Sequence, residues 1–148
     1  MKVLLLLFAI VACGSAHAQQ VTISRDTIYN SNRPLALIAE RKELPVRYHI
    51  SSFGGDPLVR ISDARMELNG KPAYVVTFIN NKKKAMLTSE NRPLDIVKEL
   101  VNYHVMTRMG AIDTLAENIF IKNHPLPKGY ADVDRPMEPG HRIRIPKK

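Results

Sequence analysis

The chain has 148 residues, with 22 Lys and Arg against 14 Asp and Glu, a formal net charge of +8 and a single cysteine. This length suffices for one domain with its own core, and one cysteine excludes an internal disulfide framework. The chain also has no Trp, and its Tyr and Phe fall mostly in segments that we expect to be buried. Nucleic acid, whose bases stack on exposed aromatic rings, is therefore not an expected partner.

The first 18 residues have the pattern of a secretory signal peptide. Lys2 supplies a positive start, Val3 to Ala12 is an unbroken apolar run, and Ala16-His17-Ala18 fits the A-x-A cleavage pattern. A run of about ten apolar residues is too short to span a bilayer as a helix, which takes about 20. We therefore expect export to the periplasm or the extracellular space, with a mature chain that begins at Gln19.

A second interpretation of the same segment uses the only cysteine. The stretch Ile10-Val11-Ala12-Cys13 resembles the bacterial lipobox, in which the cysteine becomes the lipid-bearing first residue. This alternative makes the protein a membrane-anchored lipoprotein attached through Cys13.

Residues 19–124 are predicted to form a single β-rich domain. Val46, Tyr48 and Ile50 alternate with polar residues, the period of a half-buried strand, and His49 falls on the polar face of that strand. Asn69-Gly70 is a strong hairpin signal, because both central residues of such a turn favour positive φ. Other β-prone runs, separated by turn residues, lie at 21–23, 27–29, 35–39, 58–61, 65–68, 74–79 and 85–87. The run 74–79 is apolar at successive positions, which predicts a central strand covered on both faces.

After Pro93 the apolar period changes to that of a helix. We expect a first helix that carries His104 half-buried on its apolar stripe and that Gly110 closes. A capping box of Thr114 and Glu117 predicts the start of a second helix. Its apolar side is expected to comprise Leu115, Ile119 and Phe120.

Strands first and helices second predict an α+β fold: a twisted antiparallel sheet of about six to seven short strands followed by two C-terminal helices. Residues 125–148 differ in composition, since they hold five of the ten prolines and end in a basic stretch with Arg142 and Arg144. We expect this Pro-rich basic tail to be disordered.

The order of elements resembles that of small uncharacterised exported proteins of Gram-negative bacteria. The matching stretches are Asp26-Thr27-Ile28-Tyr29, then Pro34-Leu35-Ala36-Leu37-Ile38, Val76-Thr77-Phe78-Ile79 and the helical region 96–122. The resemblance implies export and a β-then-α domain, and it implies no activity and no functional residue.

No chemical signature singles out a catalytic, cofactor-binding or metal-binding residue. The sequence contains no phosphate-binding loop, no H-E-x-x-H and no G-x-S-x-G. Anion or partner contacts are expected at the basic positions Lys82, Lys83, Lys84, Arg142 and Arg144. The sequence thus favours a non-enzymatic binding or structural protein of the cell envelope, which contacts an envelope protein or an anionic surface. The alternative is a small exported hydrolase whose site is built from scattered residues.

Overall fold

Seven antiparallel strands follow one another in sequence order, and two helices complete the domain. The computed structural model describes residues 20–42 and 45–130, and the backbone of residues 143–144. The elements are β1 (Val21–Ser24), β2 (Thr27–Asn30), β3 (Arg33–Arg41), β4 (Arg47–Ser51), β5 (Pro57–Leu68), β6 (Lys71–Phe78), β7 (Lys84–Thr88), α1 (Leu94–Asn102), α2 (Thr114–Asn123) and β8 (Ile143–Arg144). The strand order is β1-β2-β3-β4-β5-β6-β7. The predicted α+β class, an antiparallel sheet followed by two helices, is confirmed.

The hairpin turns follow the local chemistry of the sequence. Asn69 and Gly70 have φ values of 55° and 77° between β5 and β6, and Leu68 pairs directly with Lys71. Ser31 and Asn32 likewise have positive φ between β2 and β3. Left-handed conformations at both central positions match the twist of the flanking strands, so these turns fix the register of their hairpins.

The strand β6 is the centre of the core, as its apolar run predicts. Every residue from Ala73 to Phe78 is buried. Val76 and Phe78 face the side of the sheet that the helices cover, and they belong to the main apolar cluster with Phe120 of α2. Ala73 and Val75 face the opposite side, where a smaller cluster includes Met66 and Met86. Burial on both faces explains why β6 shows no polar alternation.

The helix α1 is shorter than the sequence pattern indicates. It ends at Asn102, and His104 adopts a φ of 56° with its backbone N–H donating to the carbonyl of Val101 at 2.9 Å. This left-handed reversal ends the helix, and it leaves His104 exposed. The prediction of a half-buried His104 is therefore wrong, and Gly110 does not close α1.

Gly110 instead lies in a tight loop between the helices. Met106 and Ile112 form a bridge across this loop, and Gly110 has a φ of 69°. A Cβ at this position would lie 3.1 Å from Cβ of Ser52. The loop thus needs glycine both for its conformation and for its close approach to the β4–β5 turn.

The helix α2 starts where predicted, but with a different cap. The Asp113 side chain accepts a hydrogen bond from the backbone N–H of Ala116 at 2.9 Å, so Asp113 is the N-cap and Thr114 is the first helical residue. Glu117 takes no part in a capping box. It is fully buried, and its Oε1 accepts a hydrogen bond from Nδ2 of Asn81 at 2.6 Å.

Part of the C-terminal region lies against the sheet. Leu126 and Tyr130 pack on the smaller cluster around Met86, and the backbone of β8 pairs with β5 in parallel. The rest of the predicted tail, residues 131–142 and 145–148, lies outside the described residues, as does the predicted signal peptide. Neither α1 nor α2 is long and apolar enough to cross a membrane.

Candidate functional site

The face of the sheet opposite the helices carries a row of cationic residues. Antiparallel register places His49 of β4 opposite Arg60 of β5. Arg60 in turn lies opposite Thr77 of β6, and Thr77 lies opposite Lys84 of β7. Directly paired residues of antiparallel strands have Cβ atoms about 5 Å apart and share one face. The row therefore crosses four adjacent strands with one cationic or ionisable side chain on each strand except β6.

A second row lies two residues further along the same strands. Arg41 of β3 pairs with Arg47 of β4, and Arg47 pairs with Ser62 of β5. Because residues i and i+2 of a strand face the same way, both rows belong to one surface. We call this surface the basic face and define it by Arg41, Arg47, His49, Arg60 and Lys84.

The alternation of the strands separates the basic face from the core. Tyr48 and Ile50 of β4, between the basic positions, belong to the main apolar cluster, and so do Val59 and Ile61 of β5. Burial of these neighbours, together with the helices above them, forces the intervening residues to the other side of the sheet. Burial of the apolar residues on one face therefore leaves the cationic residues of the same strands on the other face.

The ionisable side chains within the two rows are all basic. No Asp or Glu occupies either of the two rows, all of whose members lie within the described residues. At the centre, Thr77 is only 3% exposed, and Nε of Arg60 is buried without a hydrogen-bond partner in the described part of the chain. A buried guanidinium N–H without an acceptor is costly, and an anionic oxygen would satisfy it.

The chemistry of this surface suits oxyanions. The planar guanidinium group presents its N–H donors in a fork that matches the oxygens of a carboxylate or a phosphate, and Lys84 adds a compact positive charge. Cations that are held on adjacent strands are positioned by the backbone, so their spacing is set before a ligand arrives. The arrangement therefore offers donors that can bind an oxyanion.

The three consecutive lysines at which the sequence predicts contacts lie on different surfaces of the domain. Lys84 joins the basic face. Lys83 lies toward the helices instead, where its Nζ donates to Oδ1 of Asn118 at 2.7 Å. Lys82 is exposed in the β6–β7 turn with a φ of 61°. The three consecutive lysines therefore do not form one patch.

The other predicted contact residues lie at the C-terminus. The backbone of Arg144 pairs with Glu67 of β5. Arg142 and the lipidation candidate Cys13 fall outside the described residues.

The sequence alone does not predict the residues at the centre of the basic face. His49 was expected only as a solvated residue on the polar side of its strand, and Arg60 was not singled out. The available signal was the alternation in two consecutive runs, Val46 to Ile50 and Leu58 to Ser62, each with cationic residues at polar positions. The alternation does not determine the register between strands, which places Arg60 between His49 and Thr77.

A separate cavity of about 320 Å³ lies at one end of the sheet. It is lined by Asn30, Ser31, Arg33, Pro34, Leu35 and Arg108. Two arginines, an amide and a hydroxyl can hold an anion, but the lining contains no carboxylate, histidine or cysteine that could serve as a base or nucleophile. Among the described residues, no group of three or more His, Cys, Asp and Glu side chains is arranged to hold a metal ion.

The Tyr48 hydroxyl, on the core face of the sheet, has a raised pKa. Burial, and next the Glu40 carboxylate opposite it on β3, raise the pKa of the Tyr48 hydroxyl above its ordinary value of 10.0. Tyr48 lies on the face opposite the basic rows. Its raised pKa therefore reflects burial in the packed sheet rather than a reactive group.

Comparison with known proteins gives no family to which the chain can be assigned. No family model matches the sequence, and neither a curated protein nor a solved structure matches it.

Proposed function

We propose that this protein is an exported cell-envelope binding protein that holds a phosphate- or carboxylate-bearing ligand on its basic face and performs no chemistry on it. Export is supported by the N-terminal pattern of Lys2, the apolar run to Ala12 and the Ala16-His17-Ala18 motif. Binding is supported by the two cationic rows of the sheet.

The observation that carries the proposal is the position of Arg60. Its neighbours across the strands are His49 on one side and Thr77 on the other, and its Nε is buried without an acceptor in the described part of the chain. Hydrogen bonds that involve a charged group contribute about 1.5–3 kcal/mol. An oxyanion on this face would supply the acceptor that Arg60 lacks.

Binding is favoured over hydrolysis by the composition of the rows and of the cavity. A hydrolase needs a nucleophile or an activated water, and a base that a third group orients. The rows contain serine, threonine and histidine and no carboxylate. The cavity lining offers no base at all.

Two anionic polymers test the proposal and separate the two oxyanion classes. Inorganic polyphosphate presents phosphate groups and polygalacturonate presents carboxylates, and isothermal titration calorimetry measures the affinity for each. We expect Arg60→Gln to weaken binding of the preferred polymer by about tenfold, since it removes a charged hydrogen-bond donor.

Arg25→Gln is the matched control. It removes the same charge from an exposed residue in the β1–β2 turn, so it reports the effect of net charge alone. Equal losses in the two variants, or no binding of either polymer by the unsubstituted protein, would refute the role of the basic face.

Processing is tested separately by intact-mass analysis of the exported protein. We expect a chain that begins at Gln19. A lipid-modified chain that begins at Cys13 would instead establish the lipoprotein alternative, and retention of the whole N-terminal segment would contradict cleavage.

A further inference from the structure

The outer side of α2 is unusually apolar for a surface helix. Leu115 is 73% exposed and Ile119 is 47% exposed. They are four residues apart, so they lie next to each other on one side of the helix. The sequence predicts that Leu115, Ile119 and Phe120 form one apolar side of the helix, but only Phe120 of the three is buried.

Two contacts determine which side of α2 faces outward. On the inner side, Glu117 accepts the hydrogen bond from Asn81 in the β6–β7 turn. At the flank, Asn118 accepts the hydrogen bond from Lys83 in the same turn. Both contacts join α2 to a turn of the central sheet, so the helix cannot rotate Leu115 and Ile119 inward without breaking them. Their exposure is therefore fixed by the packing of α2.

The charges around these two residues are positive. Lys122 follows Ile119 by three positions and is exposed, which places it on the same side of the helix. Lys83 reaches this side through its contact with Asn118. The carboxylates nearest in sequence are both engaged elsewhere: Asp113 caps the helix, and Glu117 is buried. We call the set Leu115, Asn118, Ile119, Lys122 and Lys83 the outer face of α2.

We propose that the outer face of α2 docks on an anionic phospholipid bilayer, with Leu115 and Ile119 at the boundary between headgroups and acyl chains and the two lysines at the lipid phosphates. At a membrane interface, exposed aliphatic side chains enter the boundary between headgroups and acyl chains, and lysines beside them are attracted to anionic lipids. Anionic lipid headgroups match the charge of the lysines, and flexible lysine stems allow the ammonium groups to reach them.

The chemistry fits a bilayer better than a second protein. Cores of protein interfaces are enriched in aromatic residues, Met and Arg and depleted in Lys, whereas the outer face of α2 combines two aliphatic side chains with two lysines. The helices cover the side of the sheet opposite the basic face. Docking through α2 therefore leaves the basic face directed away from the membrane.

A single tryptophan reports on this docking, because the chain contains none. The full-length Leu115→Trp variant is mixed with vesicles of phosphatidylcholine alone, and with vesicles that contain equal parts of phosphatidylcholine and phosphatidylglycerol. We expect a blue shift of the emission, and quenching by lipids brominated along the acyl chain, with the anionic vesicles only. The apolar N-terminal run is present in every variant. It does not contribute to the tryptophan signal, because the only tryptophan is at position 115.

Two controls make the measurement specific. Ala39→Trp places the reporter at an exposed residue of β3, opposite His49 on the face of the sheet that the helices do not cover, and its emission should not shift. In the Leu115→Trp background, Lys83→Gln and Lys122→Gln should each weaken binding about fivefold. Lys98→Gln, on the exposed side of α1, should leave binding unchanged.

Several results would overturn the proposal. These are an unshifted spectrum of Leu115→Trp with anionic vesicles, an equal response at position 39, or equal effects of Lys98→Gln and Lys122→Gln. A blue shift that grows with protein concentration without vesicles would assign the surface to a second copy of the chain instead.

Discussion

Truncation of Phe78 to alanine tests the packing that positions both proposed surfaces. The Phe78 ring is fully buried and meets the Phe120 ring edge-on, with 6.0 Å between the ring centroids. It thereby connects β6, which contributes Thr77 to the basic rows, with α2. The backbone N–H of Phe78 donates to the carbonyl of Lys83 at 2.9 Å, and this bond survives the substitution, so the perturbation is limited to the side chain.

The expected loss of stability has three contributions. Burying a phenylalanine side chain contributes about 1.5–3 kcal/mol. The cavity left by the ring adds to this, so that Phe→Ala substitutions in cores cost about 3–5 kcal/mol in total. Loss of the edge-to-face contact with Phe120, about 0.5–1.5 kcal/mol, places Phe78→Ala in the upper part of that range. Domains have unfolding free energies of about 5–15 kcal/mol, so this loss is a large fraction of the total stability.

Urea unfolding of the exported chain, followed by circular dichroism at 25 °C, measures the change. Phe53→Ala is the matched control, because it removes the same side chain from an exposed turn and should change stability by about 0.5 kcal/mol or less. A Phe78→Ala loss below about 1 kcal/mol, with an unchanged dependence on urea, would refute the position assigned to the core.

Two further predictions concern α2 and the edge of the core. Asp113→Ala should lower the unfolding free energy by about 0.5–2 kcal/mol through loss of the cap to Ala116, whereas Asp113→Asn should retain most of it. Burial raises the pKa of the Tyr48 hydroxyl in the folded protein. The neutral hydroxyl therefore contributes stability that is fully present below the unfolded-state pKa of about 10. This contribution is lost as the pH rises through the folded-state pKa. Tyr48→Phe should therefore reduce the decline in unfolding free energy above that pH, and an unchanged decline would contradict the raised pKa.

Local chemistry accounts for the parts of the fold that the sequence predicts well. Asn69-Gly70 specifies a turn through the conformational preferences of two residues, and the apolar run of β6 requires cover on both sides. Neither inference needs knowledge of distant contacts. The change of period after Pro93 is also a local signal, and it predicts the helices.

The errors arise where a distant contact decides between local alternatives. Leu115 and Ile119 fit a buried helix face by spacing, but Asn81, more than thirty positions earlier, holds Glu117 on the inner side. His104 fits the stripe of α1, but the chain reverses at that residue to enter the loop that approaches Ser52. The basic face was not predictable for a related reason, since it depends on the register between strands, which one sequence without a known turn geometry leaves open.

The sequential strand order bears on how the domain folds. Each strand from β2 to β7 pairs with the strand immediately before it, so most pairing closes only short loops and costs little chain entropy. Pairing between consecutive strands is local in sequence, and local contacts favour fast formation. A chain that emerges from its N-terminus can extend the sheet one hairpin at a time, with the newest strand always at the edge. The helix-side face of β6 stays uncovered until α1 and α2, which follow the seven strands in the chain, pack against it.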